Sequence, residues 1–187
     1  MRQLPKALAD IADEADSDLP EVLRRLLAST REHFCELTAR VLDLERQILA
    51  WHRSDERSRP LTTIPGVGPI TASALSASVT DPKSFKNGRQ LAAWIGLVPK
   101  QYSTGGRARL LGISKRGDAY LRRLLVHGAR AVLRRHSSTG APGSESWATR
   151  LARRRHHNVA IVAIANKNAR AAWALLAYGT VFRPAAA

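Results

Sequence analysis

Residues 61–75 read LTTIPGVGPITASAL. Pro-Gly-Val-Gly after an apolar residue, followed by a run of small residues, is the helix-hairpin-helix pattern, which we predict over about residues 61–78. Gly66 and Gly68 permit a tight turn whose free amides, at the start of the second helix, can bind a phosphate oxygen without reading bases. A plain glycine turn between two packed helices is the alternative. Both interpretations predict a helical domain.

Charge is distributed unevenly along the 187 residues, which carry a net charge of +15. Residues 1–59 hold ten Lys/Arg and twelve Asp/Glu, whereas residues 60–187 hold twenty Lys/Arg and only three acids. We therefore predict an arm of mixed charge over residues 1–59 and a basic domain over residues 60–187. Such a positive field favours nucleic acid or an anionic membrane surface as the partner.

Several other classes of protein are disfavoured by composition. No run of eighteen apolar residues exists, and the first ten residues lack the apolar segment of a secretory signal, so we expect no membrane partner. The single cysteine, Cys35, excludes an internal disulfide, as expected for a cytoplasmic protein. The six histidines form no Cys/His ligand pattern, so we expect no metal site and no cofactor in this chain.

Downstream of the hairpin pattern, residues 99–117 read PKQYSTGGRARLLGISKRG. This glycine–arginine stretch holds four glycines, two serines and five cations without an acid, so it predicts a loop or a short ribbon that binds a polyanion. Its candidate contacts to DNA or RNA are the glycines and cations Gly105, Gly106, Arg107, Arg109, Lys115 and Arg116.

A helix from Asp118, its predicted cap, to about Arg135 follows the stretch. Leu121, Leu124, Leu125, Gly128 and Val132 form its predicted buried stripe. Arg123, His127, Arg130 and Arg134 recur at spacings of 4, 3 and 4 on another face. A solvated charged face is the alternative, but such faces usually carry both signs, and no acid occurs between Asp118 and Glu145. The spacing therefore favours phosphate contacts by Arg123, Arg130 and Arg134.

Upstream of the hairpin pattern, Asp18, Pro20 and Glu21 predict the start of a long helix. Its apolar residues hold a heptad spacing for nearly four heptads: Leu23, Leu27, Thr30, Phe34, Leu37, Val41, Leu44 and Ile48. This heptad seam predicts a coiled coil with another chain or with an earlier helix, and a helix lying on its own domain's core is the alternative. We expect the polar run at 52–59 to be a linker. The predicted fold is mainly α, a long coiled-coil helix followed by a helical domain.

The residues limit the chemistry that this chain can perform. Hydrolytic nucleases gather carboxylates around magnesium, whereas the three acids of the basic domain are far apart in sequence. The remaining route is covalent, with a serine hydroxyl attacking phosphorus while arginines stabilise the charge on the phosphoryl oxygens. Ser103 is the best-placed candidate, although Ser-Thr-Gly-Gly is also an ordinary turn sequence.

An ordered set of motifs resembles the C-terminal module of the insertion-sequence 110/116/902 transposase family. The motifs are IPGVG at 64–68, LAAWIGLVP at 91–99, YSTGG at 102–106, ISKRGDAYLRRLL at 113–125 and ANKNARAAW at 165–173. The resemblance covers about residues 19–183, because the heptad seam also looks like that family's connecting coiled coil.

The resemblance implies a bacterial, nucleoid-associated recombinase that excises and inserts a mobile element. In that family an N-terminal RuvC-like domain with four magnesium-binding acids works together with a serine of the C-terminal module, and a structured guide RNA bridges donor and target DNA. That serine falls on Ser103. The family composes its active site across subunits, which implies a homo-oligomer or a complex with full-length transposase through the coiled coil.

One departure from the family pattern concerns the nuclease domain. Nothing before Leu19 resembles it, so we expect a truncated copy in which Mg²⁺ belongs to the missing domain. Two alternatives to a catalytic transposase therefore stay open. The first is a non-catalytic helix-hairpin-helix DNA-binding module, and the second is an interaction protein that pairs with a full-length transposase through the coiled coil.

Overall fold

The computed structural model of the protein describes residues 20–102, 110–138, 147–180 and 182. The helices are α1 (Glu21–Ser54), α2 (Ser58–Leu61), α3 (Pro69–Ser78), α4 (Gly88–Trp94), α5 (Ala119–Ser138), α6 (Trp147–Arg154) and α7 (His157–Tyr178). The two strands, β1 (Pro99–Gln101) and β2 (Leu110–Ile113), pair with each other, and a 3₁₀ turn spans Pro82–Ser84. The predicted mainly α class is confirmed. The chain divides into two compact units, Met1–Ile48 and Leu49–Ala187.

In the first unit the described structure is the α1 helix, which confirms the predicted long helix. Most of its heptad positions are exposed to solvent, among them Leu37 at 46%, Val41 at 47% and Leu44 at 57%. Two exposed ion pairs along the helix, Arg25 with Glu21 and Arg46 with Asp43, are of the kind that contributes little stability. The coiled-coil partner stays a prediction.

The second unit begins with the end of α1, and here the polar run at 52–59 is packed rather than free. His52 is buried, and its Nδ1 lies 2.7 Å from Ser58 Oγ. Asp55 Oδ2 accepts hydrogen bonds from the Ser58 amide and from the Ser76 hydroxyl, at 3.0 and 2.7 Å. The interpretation of this run as a linker is therefore wrong, because hydrogen-bonded polar side chains, rather than apolar ones, fix it to the fold. The division into domains at residues 59 and 60 stays a prediction.

The core of the second unit forms where α4 and α5 pack on α7. Its largest fully buried side chains come from every part of the unit: Leu61, Ile64, Leu75, Leu91, Ile95, Leu97, Leu121, Leu125, Leu133 and Ile161. Burying each such side chain stabilises the fold by about 1.5–3 kcal/mol. Two side chains of α7 add polar ties. The buried Asn168 donates to Pro65 O at 2.8 Å, and Trp173 Nε1 donates to Pro82 O at 2.9 Å.

Side-chain caps fix where two helices start. Asp118 Oδ1 accepts hydrogen bonds from the amides of Tyr120 and Leu121 at 2.8 and 2.9 Å, which confirms it as the cap of α5. Asn87 caps α4 in the same way. The described stretches contain no helix that is both long and apolar enough to cross a membrane.

Candidate nucleic-acid interface

The hairpin turn, which joins α2 to α3, packs against α5 through a pair of glycines. Gly66 has a left-handed φ of +85°, and a Cβ added to it would lie 2.6 Å from Gly128 O. A Cβ on Gly128 would lie only 1.8 Å from Gly66 O. Neither position can hold a side chain, since the two backbones touch. Packing therefore explains Gly66, and its predicted phosphate contact stays a prediction.

Gly68 differs from Gly66 in both conformation and surroundings. It has an extended backbone, with φ −88° and ψ 175°, and it precedes the first turn of α3 as the N-cap. A Cβ added there would meet no atom within 4 Å. Helix starts leave their first amides without helical partners, so an anion has room to approach them at this end of α3.

Two described segments of the glycine–arginine stretch pair as a short ribbon, which is one of the two forms predicted for it. β1 and β2 run antiparallel, with Pro99 opposite Ile113 and Gln101 opposite Leu110. Tyr102, which follows β1, is 68% exposed. Five predicted site residues lie beyond it, outside the described residues: Ser103, Gly105, Gly106, Arg107 and Arg109. Their roles stay predictions.

Backbone contacts fix the other end of the stretch. Ser114 N donates to Val98 O at 2.8 Å, and Lys115 N donates to Gly96 O at 3.2 Å. Gly117, with φ +87°, lies so close to Trp94 that an added Cβ would be 1.7 Å from its carbonyl oxygen. The side chains of Lys115 and Arg116 are exposed. The fold thus holds the backbone of these two cations in place and leaves their charges in solvent.

The cationic stripe of α5, which consists of Arg123, His127, Arg130 and Arg134, is exposed along its whole length. Arg123 Nε donates to Ala119 O at 3.3 Å within the helix. Arg130 and Arg134 have no acidic partner among the residues that the structure describes. Four positive or titratable groups on one exposed face form a surface that suits a row of phosphates. The hairpin turn contacts this same helix at Gly128, between His127 and Arg130 in sequence.

Comparison with known proteins assigns a family to this arrangement. A sequence model described as "Transposase IS116/IS110/IS902 family" matches residues 58–145, which include the hairpin turn, the ribbon and α5. These residues match the transposase domain that this family model describes. The resemblance seen in the sequence motifs is thereby confirmed.

Curated relatives of this transposase domain carry matching names. The chain is 51% identical over 166 residues to a "Probable family 20 transposase" of Pseudomonas aeruginosa, which covers 89% of the chain and 49% of the relative. It is 43% identical over 177 residues to the "Transposase for insertion sequence element IS1328" of Yersinia enterocolitica, covering 95% of the chain and 52% of the relative. The chain thus spans about half the length of these relatives.

Arg122 is a structural residue of the transposase domain that the sequence did not single out. Its Nη1 donates to Ile95 O at 2.8 Å and lies 3.5 Å from the carbonyl oxygens of Arg116 and Asp118. It therefore ties the end of α4 to the start of α5. The sequence signal for this role is helical spacing, because Arg122 does not share the face of α5 that carries Arg123.

Metal ligands do not cluster in the described part of the transposase domain. No group of three or more His, Cys, Asp or Glu side chains there could hold a metal ion. A magnesium site needs several oxygen ligands in one place. The described residues therefore do not fit the Mg²⁺ that the family resemblance implies for its nuclease domain.

Proposed function

We propose that this chain binds DNA and performs the strand-transfer step of an insertion-sequence transposase. The observation that carries the proposal is the exposed cationic stripe of α5, whose Arg130 and Arg134 lack an acidic partner within the described ranges. Exposed guanidinium groups without an acidic partner among the described residues are available to phosphates. The names of the relatives, which are transposases of insertion sequences, support the same proposal.

Phosphate binding would involve two kinds of group. The guanidinium groups of Arg123, Arg130 and Arg134 would contact consecutive phosphates along α5. The N–H groups of Ile70 and Thr71, which follow Pro69 in the first turn of α3, would bind another phosphate. Neither contact reads bases. Binding by these groups is therefore sequence-independent and depends steeply on salt, because each neutralised phosphate releases counterions.

Strand transfer would use the Ser103 hydroxyl as the nucleophile. Its oxygen attacks a DNA phosphorus and loses its proton, an Oγ–P bond forms, and one P–O bond of the DNA breaks, so that the leaving deoxyribose oxygen takes up a proton. A hydroxyl of a second DNA end then attacks the phosphoserine, which restores Ser103. One phosphodiester replaces another, and therefore no oxidant or nucleotide cofactor is consumed.

Cations of the glycine–arginine stretch would stabilise the charge that develops on the phosphoryl oxygens during transfer. Lys115 and Arg116 are suited to this because hydrogen bonds and close packing fix their backbone while their side chains stay exposed. Arg107, Arg109, Gly105 and Gly106 are further candidates on sequence grounds. Magnesium, where it is needed, would be held by carboxylates from outside the described residues.

The strand-transfer proposal is tested with nicked DNA that carries a good leaving group at the reactive phosphate. The full chain, with and without an intact nuclease domain of a relative, is incubated with this substrate, and covalent adducts are located by mass spectrometry. We expect an adduct on Ser103 that is lost in the Ser103→Ala variant. The control variant is Ser114→Ala, which changes another serine of the same stretch and should still form the adduct. An unchanged adduct yield in Ser103→Ala would contradict Ser103 as the nucleophile, whereas the absence of any adduct would leave a non-catalytic DNA-binding module.

The exposed heptad seam favours a second role, the capture of a partner helix. We propose that α1 forms a coiled coil with a second copy or with a full-length transposase, since Leu37, Val41 and Leu44 expose about half of their surface. Leu37→Glu with Leu44→Glu should reduce the assembly to monomers in light scattering, whereas Glu36→Gln should not. A wild-type chain that is monomeric and ignores full-length transposase would contradict this role.

A structured guide RNA is a further proposed partner, and its support is the family resemblance together with the net charge of +15. Sequencing of RNA that copurifies with the chain tests it. One recurrent structured RNA is the expected result, and a random sample of cellular RNA would contradict the proposal.

A further inference from the structure

An apolar groove of about 560 Å³ lies between the ribbon and α7, and the proposed strand transfer does not use it. Leu111 and Ile113 of β2 line one side, Val159 and Val162 of α7 line another, and Trp147 of α6 contributes its indole ring. Leu111, Trp147 and Val159 are 47%, 41% and 53% exposed. Apolar side chains that stay this exposed around a concave surface mark a binding site.

The polar groups of the groove are few and are amides or cations. Asn158, Asn166 and Arg170 are its polar lining residues, and no acid lines it. Asn166 Nδ2 donates to Leu97 O at 3.3 Å, so its amide oxygen can accept a hydrogen bond from a ligand. The ammonium of Lys167 lies over the Trp147 ring, 4.8 Å from its centroid, which places a positive charge on one face of the indole.

We propose that this groove binds one unpaired base of a DNA strand. A nucleobase has flat apolar faces that stack on indole, and polar edges that hydrogen-bond to amides such as those of Asn158 and Asn166. Its phosphate carries the negative charge that Lys167 and Arg170 would attract. The inference rests on the proposed DNA binding and adds to it a contact that requires an opened strand.

The position of the groove relative to the ribbon supports this occupant. Pro99, the first residue of β1, lines the groove, and β1 ends two residues before Ser103 in sequence. Strand transfer requires access to the phosphate of a strand, and a base held out of the stack fixes that strand beside the ribbon. An apolar protein side chain would pack against the groove walls but would leave Lys167 and Arg170 without a counter-charge.

A pair of gapped duplexes tests the proposal. In each duplex the strand opposite the gap is unpaired over several nucleotides, and the number of phosphates is the same. In one duplex these unpaired nucleotides have normal bases, and in the other they are abasic sites. We expect the full chain to bind the base-containing gap ~5- to 150-fold more tightly, which is the range for loss of one base–aromatic stack. Trp147→Ala should abolish this preference, and Trp147→Phe should keep most of it. Trp94→Ala is the matched control, because Trp94 is 40% exposed but lies outside the groove.

A second variant covers the case in which Trp147→Ala fails to fold. Gly112 lines the groove, and a Cβ there would meet no atom within 4 Å, so Gly112→Val adds bulk without a clash. It should lower the affinity for the base-containing duplex and leave the affinity for the abasic duplex unchanged. The dependence on salt should stay the same in both variants, since neither removes a phosphate contact.

Four results would overturn the inference. Equal, salt-dependent affinity for the two gaps would remove it and leave the proposed DNA binding intact, whereas the absence of salt-dependent binding to either gap would remove both. A preference that depends on Trp147 but is stronger for an RNA gap would assign the groove to RNA. A change of mass in light scattering for Trp147→Ala, with both DNA affinities unchanged, would assign it to a second copy of this chain.

Discussion

Two faces of α5 differ in what surrounds them, although both belong to one helix of the same basic domain. The inner face packs Leu121, Leu125 and Ala129 into the core and meets the hairpin turn at Gly128. The outer face carries the cationic stripe in solvent. Neighbouring arginines show the contrast most directly, because Arg122 donates to a backbone carbonyl of α4 whereas Arg123 is exposed.

Positive charge on α5 therefore has two separate uses. Arg122 stabilises the fold by donating to backbone carbonyl oxygens, whereas the side chains of Arg123, Arg130 and Arg134 are exposed to solvent. Substitutions on the two faces should therefore separate stability from nucleic-acid affinity.

Gly128→Ala should cause the largest loss of stability. The added Cβ would lie 1.8 Å from Gly66 O, and a backbone oxygen cannot move aside as a flexible side chain can. We expect a loss of about 3 kcal/mol or more, at the upper end of overpacking effects, measured by urea unfolding. Gly68→Ala is the control, since its Cβ would meet no atom within 4 Å, and it should cost about 1 kcal/mol or less. Equal losses in both variants would contradict the docking of the hairpin on α5.

Arg122→Met should lower the free energy of unfolding by about 1–3 kcal/mol, because it leaves the carbonyl of the buried Ile95 without its donor. The adjacent Arg123→Met should change it by less than about 0.5 kcal/mol. Thermal unfolding of the two variants side by side measures the difference. If Arg123→Met proved the more destabilising of the two, the assignment of the faces would be reversed.

Asp118→Ala should cost about 1 kcal/mol, since it removes the cap that accepts the amides of Tyr120 and Leu121. Asp118→Ser restores a capping oxygen and should recover most of this loss. Urea midpoints report both values. A stable Asp118→Ala variant would show that α5 does not depend on its cap.

Arg130→Gln should leave stability unchanged within about 0.5 kcal/mol, because its side chain is exposed and has no acidic partner in the described part of the chain. Its effect should fall on affinity instead. The slope of log affinity against log salt should decrease by about 0.9, which corresponds to one phosphate contact. Fluorescence anisotropy with a DNA duplex measures it, and an unchanged slope would exclude Arg130 from the interface.

Much of the helical part of the fold could be predicted because its signals are local. The heptad spacing predicted α1, and the capping residue Asp118 predicted the observed start of α5. The packing of the polar run at 52–59 could not be predicted, since it depends on a hydrogen bond from Ser76, which lies far away in sequence. The contact between Gly66 and Gly128 is missed for the same reason, because each glycine alone only indicates a flexible position.

The candidate site was predictable in composition but not in arrangement. Helical spacing identified the stripe with Arg130 and Arg134, and the glycine–arginine stretch indicated a loop or a short ribbon. The role of Arg122 depends on the carbonyl of Ile95, and the groove beside Trp147 requires three elements to meet. Such long-range juxtapositions leave no periodic signal in one sequence. The catalytic role of Ser103 stays a prediction from the motif and the resemblance.

DNA binding by the outer face of α5 is tested most directly by the salt dependence of affinity. The wild-type chain and a triple variant, Arg123→Gln with Arg130→Gln and Arg134→Gln, are titrated with one DNA duplex at several salt concentrations after both are shown to be folded. We expect a steep negative slope for the wild type and a slope shallower by about 2.7 for the triple variant, which loses three phosphate contacts. Identical slopes for the two proteins would contradict the claim that the outer face of α5 binds DNA.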